Sequence, residues 1–315
     1  MRGFTRPRRF SLIMVFAIAL SVYAQGTNLK VNCNGRGSLS TISGALKMLH
    51  PEEPNAITVS GTCNENVVIQ SFDRLTLIST TGATINDVSG GLSAVLDIED
   101  SRRVTLQGFT INGGADGVIC GNSSICYLTA NKVQSSVGQE GVFVTNGSHA
   151  FLTGNAIQNN TVRGLTANEG SQVFSTNDTF RDNADAGIVA NSGVYLAATN
   201  SSIQNNGSVG SPGIAVGNHS TVRLISCSIT GNTLAGVNLG TSSEAEFDAF
   251  LGPSTVTGNG GSGVTLKDLS FAFFGQGNNI TANLGGTDVL CTPQFSATRG
   301  ALTNIGGGTT NCVEP

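Results

Sequence analysis

The stretch Gly141 to Leu165, GVFVTNGSHAFLTGNAIQNNTVRGL, holds three short runs of alternating character separated by Gly, Asn, Ser and Thr, and then starts again at Gly164-Leu165. Alternation with period two is the mark of a strand with one buried face, and none of the runs has helical spacing. Outward from this stretch the same unit recurs from about residue 93. Gly followed by an aliphatic residue stands at Gly117-Val118, Gly141-Val142, Gly164-Leu165, Gly187-Ile188, Gly213-Ile214, Gly236-Val237 and Gly263-Val264, in steps of 24, 23, 23, 26, 23 and 27. A second column holds Ile111, Val133, Ile157, Phe180, Ile203, Ile229, Val256 and Ile280, followed by Asn at 159, 183, 205, 232, 259 and 283. A third lies between them: Ala150 and Leu152, Val173, Val194 and Leu196, Val222 and Leu224, Ala245 and Phe247, Phe271 and Phe273.

Three strands per repeat predict a coil, and stacked coils bury their inward residues against one another in three long parallel sheets. Asn suits the turns because it tolerates left-handed backbone and its amide can bond to the coils above and below. Leucine-rich repeats share the period but need a Leu-dense consensus and a helical outer side, which this chain lacks. The composition agrees. With 42 Gly, 15 Phe, no Trp and 11% charged residues in 315, coiled coils and charged disordered tails are excluded. A pI near 5.3 leaves no electrostatic footprint for nucleic acid.

Residues 1–24 read as a leader: Arg2, Arg6, Arg8 and Arg9, then the apolar run Phe10 to Val22, then Val22-Tyr23-Ala24 before Gln25. Its removal leaves 12 basic against 20 acidic side chains. The expected mature chain is exported (extracellular or periplasmic), has no membrane span and is a monomer. Seven cysteines behind a leader are disulfide material first. Three local pairs are possible, Cys33 with Cys63, Cys120 with Cys126 and Cys291 with Cys312, leaving Cys227 as a buried free thiol. No metal or cofactor is expected, since Cys-x-x-Cys is missing and His50, His149 and His219 are scattered, the last two reading as exposed turn residues.

The chain resembles the right-handed parallel β-helix proteins of the pectate-lyase-like superfamily, carried by the Gly-Ile-x-Val unit followed by Asn-x-Ile and Asn over nearly the whole mature length. The resemblance implies an all-β, single-stranded right-handed parallel β-helix with coils of about 23 residues. It also implies an N-terminal capping α-helix, which Leu39, Ile42, Leu46 and Leu49 behind Ser38 fit. Strands at 57–60, 66–70, 75–79 and 104–106 then begin the coils. The expected organisation is 1–24 leader, 25–92 cap helix and first coils, 93–290 repeats, and 291–315 an irregular C-terminal cap.

The superfamily's enzymes act on polysaccharides, but their motifs are not here. Where polygalacturonase-type hydrolases carry Asn-Thr-Asp-Gly, Asp-Asp, Gly-His-Gly and Arg-Ile-Lys on successive coils, this chain has Ala115-Asp116-Gly117, Gln139-Glu140-Gly141, Val162-Arg163-Gly164 and Gly187-Ile188-Val189-Ala190. The calcium cluster of pectate lyases, the methylesterase motif and the Asp-Pro-His of alginate epimerases are missing too; Asp182 and Asp185 beside Arg181 read as turn electrostatics. The preferred reading of the Asp116, Glu140 and Arg163 column is a solvated, mutually compensating charge ladder, with a catalytic or sugar-binding groove as the alternative. If a ligand site exists it lies there, with Phe143 as a sugar-stacking face and Arg163 as the fork for a carboxylate, on the sheet whose outward residues are Ile119, Phe143, Thr166, Val189, Ala215, Asn238 and Thr265. Phe271, Phe273 and Phe274 read as core. The functional expectation is a secreted protein that interacts with polysaccharide. The alternatives are a lyase or glycoside hydrolase with a divergent site, and a structural or adhesive module.

Overall fold

The computed structural model describes residues 26–35, 39–248, 250–292, 297–299 and 302–312. The proposed leader and Ser38 lie outside them. All strand pairs are parallel, and each coil visits three sheets in turn, as in His149–Thr153, Ala156–Gln158 and Arg163–Ala167. The first sheet has twelve strands, from Asn28–Asn32 to Ala297–Arg299. The second has ten, from Thr62–Asn64 to Asn279–Thr281, and the third ten, from Val67–Gln70 to Val289–Cys291. The chain is an all-β solenoid with a single apolar core running along its axis.

Register explains the repeat. Val118, Val142, Leu165, Ile188, Ile214, Val237 and Val264 stack directly on one another, all fully or almost fully buried. The turn between the second and third sheets splits the Asn column over two adjacent positions. Asn159 and Asn205 take left-handed backbone and are exposed, whereas the next residue points inward. The inward ladder is Asn160, Asn183, Asn206, Asn232, Asn259 and Asn283, each passing its amide hydrogens to the next Oδ1 at 2.9–3.0 Å. The expected column therefore mixed two rows. The ladder also accounts for the glycines: a Cβ on Gly187 would lie 2.7 Å from Asn206 Nδ2 and 2.9 Å from Ile203 Cγ2. Glycine recurs because the amides press against its backbone.

Two further internal ladders fill the other turns. Between the first and second sheets stand Asn131, Asn155, Asp178, Ser201, Cys227, Ser254 and Asn278; between the third and first, Ser101, Ser124, Ser148, Ser171, Ser220, Ser243 and Ser270. Asp178 takes four donors, from the amide N and Nδ2 of Asn155, Ser175 Oγ and the Thr176 amide. Cys227 is free and buried, its thiol donating to the Ala198 carbonyl, and burial raises its pKa.

Near the C-terminal end one expectation shifts by a residue. Ala272 and Phe274 point inward, and Phe274 stacks on Phe247 at 5.1 Å. Phe271 and Phe273 face outward, the opposite of the expected core position. The run Phe-Ala-Phe-Phe offers no alternation from which to choose, and a one-residue slip exchanges the faces.

The N-terminal helix is shorter than expected, Ile42–Leu46, with Thr41 as its N-cap. Its Ile42, Ala45 and Leu46, with Leu49 beyond, join the core, and it touches the strands Asn28–Asn32, Asn55–Ser60 and Val67–Gln70. Disulfides join Cys33 to Cys63, Cys120 to Cys126 and Cys291 to Cys312. Among the described residues no helix is long and apolar enough to cross a membrane.

Candidate functional site

The third sheet places Asp116, Glu140 and Arg163 in one column just before their glycines, on three successive coils. Glu140 and Arg163 are paired in register. Asp116 Oδ1 accepts the Glu140 amide at 3.0 Å. Glu140 Oε1 accepts from Arg163 Nη1 at 2.9 Å and from Thr166 Oγ1 at 3.1 Å. Arg163 turns its Nε to Asp185 Oδ2 at 3.0 Å. The column is a network, but not a solvated one. Asp116 is 4% exposed and Glu140 5%, with Arg163 and Thr166 packed onto Glu140.

Burial acts first on the electrostatics. It pushes the Asp116 carboxyl up to about 7, aided by the carboxylate of Glu140 beside it and opposed by the Glu140 amide. Asp97, one coil earlier on the same face, is raised by burial and by Glu99, and its Oδ1 is buried without a hydrogen-bond partner. Asp185 moves the other way despite its burial, held down by Ser211, the Ala186 amide and Arg163.

Asp97, Ile119, Phe143, Thr166 and Val189 form the adjoining outward row. Phe143 is half-buried there, and Thr166 is buried against Glu140. Further along, Asn238, Thr265, Lys267 and Leu290 floor a hollow of about 430 Å³ walled by Pro212 and Leu234. The face thus offers the Asp97 carboxyl and an aromatic edge, with Asp116 and Glu140 buried beneath it. It does not offer the expected guanidinium fork, because Arg163 is already engaged by two carboxylates.

Asp97, Thr166 and Asp185 complete the network but were not assigned to it from the sequence. Asp97 sits in Leu96-Asp97-Ile98, in phase with Ile119, but the turn at residues 87–94 breaks the regular spacing before it. Asp185 pairs with Arg163 rather than Arg181, whose partner is Asp182 at 2.6 Å. Also unforeseen is an aromatic row on the outer face of the first sheet, Tyr127, Phe151, Phe174 and Tyr195, although its spacing of 24, 23 and 21 follows the repeat. The two histidines are not equivalent: His149 opens a strand and is half-buried, whereas His219 is an exposed turn residue with left-handed backbone. Among the described residues one grouping has metal-ligand composition, Cys33, Cys63 and Glu65, and its two sulfurs are joined to each other.

Three parallel sheets wound coil by coil, with ladders in all three turns, define a right-handed parallel β-helix. The chain belongs to the right-handed beta helix region family, whose pattern matches residues 94–251. A cell surface glycoprotein of Methanothermus fervidus is 30% identical over 131 residues, 41% of this chain and 21% of that protein, so the chain spans about a fifth of the relative's length. Among solved structures, pectate lyase Pel9A superposes over 92% of this chain and 78% of its own, with TM-score 0.58 and 12% identity. The A-module of the Azotobacter vinelandii mannuronan C-5 epimerase AlgE6 covers 89% and 84%, with TM-score 0.60 and 15% identity. Tailspike protein 2 of Escherichia coli O157:H7 bacteriophage CAB120 covers 85% of this chain and 42% of its own, with TM-score 0.64 and 10% identity. At these identities the likeness is one of fold.

Proposed function

We propose that the protein is exported and binds polysaccharide on the outer face of its third sheet, with binding rather than bond cleavage as its task. The observation that carries this reading is the outward row of the third sheet, where half-buried Asp97 and Phe143 stand two coils apart above the Asp116, Glu140 and Arg163 network. A carboxyl and an aromatic edge along one row suit the hydroxyls and apolar faces of a sugar chain. Because Arg163 is held by Glu140 and Asp185, the face favours a neutral or weakly acidic chain over a polyuronate. Export is supported by the leader-like segment, by three disulfides, which persist in oxidising compartments, and by the relative named a cell surface glycoprotein.

A second reading, a polysaccharide hydrolase or lyase, would use Asp116, whose carboxyl is pushed up to about 7 in the manner of a general acid but lies buried beneath the face. The two readings separate on a panel of neutral glucans, mannans and polygalacturonate, assayed for binding, new reducing ends and unsaturated products. Binding without turnover is expected. Turnover that disappears in Asp116→Asn would establish the second reading, and a panel with no binding would remove the first.

A further inference from the structure

The aromatic row on the first sheet lies on a face that the proposed glycan site does not use. Tyr127, Phe151 and Phe174 occupy one outward column, their rings 5.0 and 5.2 Å apart and nearly parallel, and Tyr195 in the adjacent column meets Phe174 at 6.0 Å. A row of threonines, Thr129, Thr153, Thr176 and Thr199, runs along one side. On the other side lie Ile125, His149, Gln172 and Tyr195. Over these four coils the outward positions contain no Asp, Glu, Lys or Arg.

The pattern is self-complementary. Consider a two-fold axis parallel to the strands, lying over the face midway between His149–Thr153 and Gln172–Thr176. It sets Phe151 against Phe174 of a second copy, His149 against Gln172, Ile125 against Tyr195, and Tyr127 over the small Ala197. The charges at the two ends follow the same symmetry. In the column of Ile125, Arg103 lies one coil and Arg74 two coils towards the N-terminal end, where Arg74 and Arg103 share Asp73 and Arg102 is paired with it in register. Two coils beyond Tyr195 lies Glu244, on the strand whose Glu246 pairs with Arg223, as does Asp248 just beyond it. Arg74 and Glu244 are equally far from the axis, so the antiparallel arrangement brings each basic end onto an acidic one.

We propose that this face is where two copies of the chain meet, antiparallel, in a reversible homodimer. Eight coils at about 4.8 Å, each presenting a strand about 17 Å long, give a footprint on the order of 600 Å² per subunit. That is somewhat below the ~800 Å² per partner of a standard interface, the size range of weak and transient contacts. Opposite charges at the two ends make the dimer sensitive to salt. The proposed dimer departs from the monomer expected from the sequence.

Sedimentation velocity from about 1 to 200 µM, in low salt and at about 0.5 M, tests it. The expected result is a concentration-dependent dimer, weakened at least threefold by salt and at least tenfold by Phe151→Arg, an outward position whose substitution leaves the circular dichroism unchanged. Arg74→Glu weakens the dimer, and Arg74→Glu combined with Glu244→Arg restores it, a rescue that folding defects cannot mimic. A monomer at every concentration, or a dimer indifferent to these substitutions, overturns the proposal. So does a monomer whose tyrosine fluorescence changes on adding a neutral glucan, which would assign the face to sugar; outside the leader, Tyr127 and Tyr195 are the only tyrosines, so the signal reports this face alone.

Discussion

Asn206 and Cys227 occupy equivalent depths in two different ladders, yet they differ in what their loss would leave behind. Asn206 Oδ1 takes both the amide N and Nδ2 of Asn183, and its own Nδ2 serves Asn232 Oδ1 and the Phe180 carbonyl. Asn206→Ala strands these buried groups and should cost about 2–4 kcal/mol in urea unfolding. Cys227 sits between Ser201 and Ser254 in its column, so Cys227→Ser keeps a donor for the same carbonyls and should change stability by less than about 1 kcal/mol. Similar losses in both variants would show that the ladders do not hold the coils together. Asp116 adds a pH dependence. In the fold its carboxyl keeps a proton up to about 7, against 3.8 for a free carboxyl, so its contribution to stability is complete below about 3.8 and is lost as pH rises through 7. Asp116→Asn keeps an acceptor for the Glu140 amide and places a donor where the proton sat. Relative to wild type, the variant should gain on the order of 2 kcal/mol between pH 4 and pH 8. Parallel melting-temperature profiles would mean that Asp116 ionises normally.

At the scale of the element, the short helix depends on a residue outside it. Glu65 accepts the Ile42 amide at 2.6 Å, the Ser43 amide at 3.0 Å and Ser43 Oγ at 2.6 Å, so a carboxylate faces the helix N-terminus from the first coil. Glu65→Ala should lower stability by about 1–3 kcal/mol and raise amide exchange at Ile42 and Ser43 first. Exchange there unchanged from wild type would contradict the capping role. The strands were legible because Gly, aliphatic residues and Asn recur at fixed steps, and the strand Leu75–Ser79 has the bounds expected of it. Legibility failed where neighbouring residues were chemically alike. Asn159-Asn160 and Asn205-Asn206 each held one exposed and one inward residue, and Phe271 to Phe274 gave no alternation to set the phase. Ser38 was the expected cap, but Thr41 holds that position, its side chain accepting the Gly44 amide at 3.0 Å.

At the scale of the whole molecule, the solenoid presents three faces with different chemistry. The column of Asp116, Glu140 and Arg163 was legible because the glycines fix the phase of the third sheet. Its burial and its closure by Asp97, Thr166 and Asp185 were not, since these depend on residues one coil away, 19 to 26 positions distant in sequence. The first-sheet aromatic row and the third-sheet carboxyl pair lie on separate faces, so substitutions on one can serve as controls for the other. The measurement that bears most directly on the proposed function is isothermal titration of the neutral polysaccharide that binds wild type best, repeated with Phe143→Ala on the third sheet and Phe151→Ala on the first. The account predicts at least a fivefold weaker association for Phe143→Ala and wild-type affinity for Phe151→Ala. Wild-type affinity in Phe143→Ala, or a loss confined to Phe151→Ala, would contradict it and place the sugar elsewhere on the solenoid.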